Sequence, residues 1–212
     1  MENDLKKIER RPVRYWFEDG IYEMAFGAIS LCLGFYLYAY AWIPRRSLWS
    51  VLWAIGTFPL LVFGFRFVNK ILGALKQKWT YPRTGYVSYR RPKKKKFSLL
   101  GGLTGAGSAL IYGFLKFGPF PKLSSISWWP MVGGFLFAAT HVWVGLKTDI
   151  GRFYVLAVIS GASGIGLSVA GLGEMPALGA LWGILGVSQV ISGAITFRRY
   201  LRRNPSSGEE RS

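Results

Sequence analysis

The sequence predicts an all-α, polytopic membrane protein: a six-helix transmembrane bundle of three hairpins with a basic cytoplasmic loop. Three observations predict it. Of 212 residues, 51% are hydrophobic, and apolar character runs unbroken for about 20 residues at a time, the length that crosses roughly 30 Å of hydrocarbon. A soluble domain would instead show polar positions every few residues. Second, 27 residues are glycine, many of them stepped at helical spacing inside those runs. Third, 27 Lys and Arg stand against 10 acids, a net charge of +17, and they gather between the apolar runs. A Lys or Arg at the centre of a span costs at least ~2.5–3.5 kcal/mol, so such residues are left in water.

Residues 1–20 read as a basic, interfacial N-terminus in which Lys6, Lys7, Arg10, Arg11 and Arg14 precede Trp16 and Phe17. Asp19-Gly20 supplies a turn, with Asp19 as a helix cap. These residues are too charged for the apolar core of a signal peptide, so the first span is expected to act as an uncleaved anchor. The first hairpin occupies 21–68, with spans at 21–43 and 48–68 around the turn Pro44-Arg45-Arg46-Ser47. Tyr36, Tyr38, Tyr40 and Trp42 crowd its far end, where amphipathic rings prefer the headgroup level, and Pro59 predicts a kink.

Residues 69–97 form the basic loop. Its beginning is amphipathic, with Ile71, Leu72, Leu75 and Trp79 at helical spacing and Lys70, Lys76 and Lys78 between them. Tyr81-Pro82-Arg83-Thr84-Gly85-Tyr86-Val87 follows, a turn and then a short strand over 86–89. Here the chain resembles an uncharacterised group of bacterial six-span membrane proteins that share Tyr-Pro-Arg-x-Gly-Tyr-Val after the second span. The similarity covers chiefly 14–34 and 79–91, and it implies a bacterial membrane protein without implying an activity. The loop ends in Arg90, Arg91, Lys93, Lys94, Lys95 and Lys96, six charges in seven residues. Near an anionic leaflet each is worth about 1 kcal/mol, which makes the run a topology signal and a candidate site for anionic phospholipid headgroups.

The second hairpin occupies 98–147, with spans at 98–117 and 127–147; the third occupies 152–197, with spans at 152–173 and 176–197. The tail, 198–212, is basic and then turns polar and disordered in character. Residues recur along these spans at steps of three and four, most of them small: Ala157, Gly161, Gly164, Ser168 and Gly171 in the fifth, and Gly179, Gly183, Gly186, Val190 and Gly193 in the sixth. Lipid offers no hydrophobic drive between helices, so such stripes read as packing surfaces, expected to meet one another.

Of the Lys and Arg residues, 23 fall in the N-terminus, the 66–97 region, the 147–152 turn and the tail, and 4 in the opposite connections. The positive-inside rule then predicts cytoplasmic termini, in the inner membrane of a bacterium. In a soluble protein this charge would point to nucleic acid; between spans it points to the lipid bilayer, and to a membrane-protein partner at the basic face.

The polar inventory within the spans is thin: Glu23, Thr104, His141, Ser160 and Gln189. At ~1.5 Å per helical residue all five fall in the cytoplasmic half, so they form a candidate polar pocket with His141 as its titratable member. One cysteine, Cys32, excludes an intrachain disulfide and a cysteine-based metal site. One histidine and scattered carboxylates offer no metal ligand set, no cofactor motif and no catalytic triad. The sequence therefore reads as a non-enzymatic accessory or scaffolding component, with a small transporter or channel as the alternative.

Overall fold

The computed structural model describes residue 14 and residues 16–44, 47–84 and 127–205. Among them every regular element is helical. Helix α1 spans Ile21–Tyr40, α2 Leu48–Leu75, α3 Tyr81–Thr84, α4 Trp128–Thr148, α5 Arg152–Val169 and α6 Glu174–Arg203, with a π-helical turn at Lys76–Thr80 between α2 and α3. Helices α1, α4, α5 and α6 are long and apolar enough to cross a membrane. The predicted span at 98–117, the strand at 86–89 and the polybasic run at 90–96 lie outside the described residues.

Local chemistry sets the helix ends. Gly20 takes φ +71°, a left-handed conformation that side chains resist, and the Asp19 Oδ1 atom accepts the Ile21 N–H at 3.1 Å. Asp149 adopts φ 58° as the residue closing α4, and the turn Asp149–Gly151 sends the chain straight into α5. At the opposite end of that hairpin, Ser168 Oγ donates to the Ser127 carbonyl at 2.9 Å, and Ser127 N donates to the Ser168 carbonyl at 3.2 Å. Both ends of the α4–α5 pair are thereby tied.

Among the described helices the tightest contacts are not all between neighbours in the chain. The closest pair is α1 with α6, followed by α4 with α5, and α5 joins the two pairs through α6. Glycine explains the first pairing. Gly20, Gly27 and Gly34 of the first segment meet Gly193, Gly186 and Gly179 of α6, each series stepping by seven. A Cβ at Gly27 would lie 2.8 Å from the Gly186 carbonyl oxygen, and one at Gly186 would lie 2.7 Å from the Leu31 nitrogen. No other residue permits backbones this close, and van der Waals contact at that range is what associates helices in lipid. The α6 stripe thus faces α1, whereas its spacing alone predicts a meeting with the stripes of the other late spans.

The second seam joins α4 to α5, where Gly134 and Gly164 pack backbone to backbone. Gly161 has only the Ala138 Cβ within 4 Å, and Gly171 is a turn glycine with φ +68° and open space around it. The Gly183 nitrogen lies 2.7 Å from a Cβ built at Gly34, so its backbone is approached although its own Cβ position is open.

Two boundaries shift in ways that matter below. Helix α2 runs on to Leu75 before the π turn, and α6 runs on to Arg203, so the tail arginines 198–203 extend from the bundle on a continuous helix. The expected amphipathic face is also rearranged: Ile71, Leu75 and Trp79 are exposed, whereas Leu72 and Lys76 are buried.

What is inside and what is outside inverts the soluble pattern. Buried positions include Asp19, Glu23, Ser30, Lys76, His141, Ser160, Ser168 and Gln189, while Val155, Val158, Ile165, Val169, Val187, Ile191 and Ile195 are exposed. A soluble monomer rarely shows so continuous an apolar surface; in hydrocarbon it carries no penalty.

Candidate functional site

Three polar layers lie toward the end of the described bundle where Arg14, Lys76, Arg152, Arg199 and Arg203 gather. The outermost is centred on Asp19, which is 1% exposed. Its Oδ2 atom lies 3.0 Å from Lys76 Nζ and accepts the Thr80 hydroxyl at 3.1 Å. Lys76 is also 1% exposed, donates to the Trp16 carbonyl at 2.9 Å and sits 4.7 Å from the Trp16 ring centroid. A buried ammonium survives when its protons all find partners, and here a carboxylate, a carbonyl and an aromatic face supply them. The π turn at Lys76–Thr80 presents Lys76 and Thr80 together to Asp19; single π turns are frequent at functional positions.

The middle layer is centred on Glu23, 3% exposed. Arg152 Nε donates to its Oε1 at 2.7 Å and Ser192 Oγ donates to its Oε2 at 2.8 Å, so one carboxylate joins α1, α5 and α6. Arg152 also donates to the Phe17 carbonyl and lies 5.3 Å from the Phe153 ring.

The innermost layer holds His141, Ser160 and Gln189, from α4, α5 and α6. The His141 Nδ1 atom lies 2.8 Å from the Phe137 carbonyl, which fixes the proton on that nitrogen; Nε2 then accepts from Gln189 Nε2 at 3.1 Å. Ser160 Oγ is 3.3 Å from His141 Nδ1 and donates to the Leu156 carbonyl at 2.6 Å. Gln189 Oε1 is buried with no hydrogen-bond partner among the described residues. Phe153 bridges the layers, its ring stacked on His141 at 6.4 Å and edge-on to Phe17 at 5.4 Å.

Of the predicted polar pocket, Glu23, His141, Ser160 and Gln189 converge on the bundle interior, while Thr104 lies outside the described residues. Among the described residues all four make hydrogen bonds. Glu23 is bonded to Arg152 and Ser192, and the other three are bonded among themselves.

Open space lies beyond the outermost layer. A cleft of about 490 Å³ is walled by Arg14, Arg152, Arg199 and Arg203, with the carboxylates Glu18, Asp19 and Asp149 in the same wall. Arg83 steadies its rim by donating to the Asn204 carbonyl at 2.8 Å, which engages carbonyls left free where α6 ends. Asp19 is taken up by Lys76, and Arg152 by Glu23. Arg14, Arg199 and Arg203 carry no ion pair among the described residues and are exposed to the cleft.

In the sequence Asp19 reads as a cap, and Lys76, Arg152, Arg199 and Arg203 as loop or tail charges. The four-residue spacing of Lys76 to Thr80 and of Arg199 to Arg203 was the available signal. Among the described residues no group of three or more His, Cys, Asp or Glu could hold a metal. The chain matches no family model, no curated protein and no solved structure.

Proposed function

We propose that this chain is a non-enzymatic integral membrane protein, an accessory or scaffolding component that works through its basic face. In this reading the basic end is cytoplasmic, as the 23-to-4 distribution of Lys and Arg argues, and the full chain forms six spans in a bacterial inner membrane. The observation that carries the reading is the division of labour between interior and end. Apart from Gln189 Oε1, the described interior polar groups of the three layers are bonded within the bundle, and the arginine-walled cleft of about 490 Å³ opens where the helices emerge. Such a face suits a negatively charged membrane-protein partner or lipid. The Ser160–His141 pair argues against a hydrolase, since Ser160 is fully buried and its hydroxyl proton is held by the Leu156 carbonyl.

A small transporter is the second reading. Gln189 Oε1, unpartnered among the described residues, favours it, because a buried acceptor beside a histidine in a spanning helix is a place for a passing proton donor. The test is extraction in mild detergent followed by mass spectrometry of co-purifying proteins. The scaffolding reading expects a defined protein partner, lost when Arg199→Glu and Arg203→Glu are combined. A chain that purifies alone under every mild condition, and moves a solute or protons in proteoliposomes, would replace it with the transport reading.

A further inference from the structure

We infer that the arginine-walled cleft is a binding site for a phosphodiester, the headgroup of an anionic, hydroxyl-bearing phospholipid. The inference rests on the membrane-face reading above and names the ligand of that face. Four observations meet in it.

The first is donor geometry. Arg199 and Arg203 are four residues apart on one face of α6, and Arg14 enters the same cleft from the N-terminal segment. Guanidinium groups clasp phosphate oxygens in pairs, which a lysine point charge does not do.

The second is depth. A Cβ built at Gly20 would lie 2.9 Å from Thr196 Cβ, so Thr196 is level with the start of α1, where the apolar span begins. Arg199 stands three residues farther along α6, about 4.5 Å at the helical rise. Headgroups occupy roughly 5–8 Å on each side of the hydrocarbon, so Arg199 lies at the level of lipid phosphates.

The third is a path for the chains. A shallow groove of about 250 Å³, lined by Ile195, Arg198, Arg199 and Arg202, shares Arg199 with the cleft. It continues the exposed stripe Ile184, Val187, Ile191 and Ile195, whose side chains are 39–53% exposed on one face of α6. That stripe runs over the twelve residues 184–195, about 16 Å, close to half the hydrocarbon thickness. An amphiphile with a phosphate at Arg199 therefore has aliphatic wall beneath it.

The fourth is charge balance. Once Asp19 and Arg152 are discounted with their own partners, three arginines face two carboxylates, Glu18 and Asp149. The surplus of one positive charge matches a phosphodiester, which carries one negative charge. The carboxylates accept hydrogen bonds from headgroup hydroxyls.

The test uses the full chain, delipidated in detergent and titrated with mixed micelles containing phosphatidylglycerol, phosphatidylethanolamine or phosphatidylcholine. The expected result is saturable binding of phosphatidylglycerol that weakens with salt and exceeds that of the other two lipids. Charge near a lipid surface is worth about fivefold per arginine, so Arg199→Gln combined with Arg203→Gln should weaken it about thirtyfold. A charge-matched control, Lys70→Gln with Lys78→Gln, should bind as the parent does. All four positions are exposed, and an unchanged melting temperature verifies the fold of each variant. Equal loss in the control, or equal binding of phosphatidylethanolamine, overturns the inference. Binding of inorganic phosphate without lipid, lost in the cleft variant, reassigns the site to a soluble phosphate and overturns the lipid assignment. Lipid binding lost with protein partners retained, or the reverse, separates this inference from the scaffolding reading.

Discussion

Replacing Lys76 with Met should unfold the basic end of the bundle, and replacing its partner at the same time should largely restore it. The two charges lie 3.0 Å apart with side-chain exposures of 2% and 1%. Lys76→Met leaves the Asp19 carboxylate with the Thr80 hydroxyl and the Ile21 N–H, and without a countercharge. Breaking a buried pair from one side costs about 3–5 kcal/mol, most of it the uncompensated charge. Asp19→Asn keeps an acceptor for Ile21 and strands the Lys76 ammonium on one carbonyl and one ring, a loss of similar size. The combined variant removes both charges and should cost about 1 kcal/mol, since a buried pair and a well-packed apolar replacement are often nearly equal. The coupling energy is then several kcal/mol, well above the ~0.5 kcal/mol at which neighbouring effects are called additive. The assay is reversible unfolding by sodium dodecyl sulfate in mixed micelles, followed by tryptophan fluorescence. Single variants that unfold with the parent, or losses that simply add, would refute a desolvated Asp19–Lys76 pair.

Three further outcomes follow from the packing and the charge distribution. Gly27→Ala and Gly186→Ala should each destabilise by about 1–3 kcal/mol, since the new Cβ meets backbone at 2.7–2.8 Å, whereas Gly166→Ala should be neutral or slightly stabilising because its Cβ position is open; the same unfolding assay checks both. The cycle Glu23→Gln with His141→Asn should give coupling below ~0.5 kcal/mol, because the two residues share no bonding partner, whereas Glu23→Gln with Arg152→Met should couple strongly. Single cysteines at Ser88 and Ser125, in a Cys32→Ser background, should label from opposite sides of intact cells with an impermeant thiol reagent, and labelling of the Ser88→Cys variant from outside would invert the proposed orientation.

Apolar run length was enough to find helices α1, α4, α5 and α6, because twenty residues without a charge have few other uses. The same signal misplaced the ends of α2 and α6. Charges at 76 and 198–203 look like solvated loop, and a buried partner or a helix extending past the hydrocarbon is a tertiary fact. The α6 glycine stripe was legible as a packing face, since its spacing is local. Its partner was not, because the complementary glycines at 20, 27 and 34 recur at seven and stand among larger residues. The polar layer was found by depth along each helix, which places His141 and Gln189 together. That Glu23 belongs instead with Arg152 and Ser192 depends on which faces meet, and one-dimensional spacing does not carry that information.

The seven-residue glycine ladder between α1 and α6 also bears on how the chain is made. Its halves are separated by about 160 residues of sequence, Gly27 to Gly186 being 159 apart. Helices inserted in order of synthesis place α1 in the bilayer well before α6 exists. Throughout that interval α1 offers lipid a groove shaped for a backbone, with Glu23 in it and Ser192 not yet made. Closure of this long loop is entropically costly, and the close contacts repay it only when α6 arrives. The ladder therefore acts as a completion step. A chain arrested before α6 can still pair Glu23 with Arg152 of α5, but it lacks the Ser192 bond to that carboxylate and the glycine face against which α1 packs, and this distinguishes it from the finished protein.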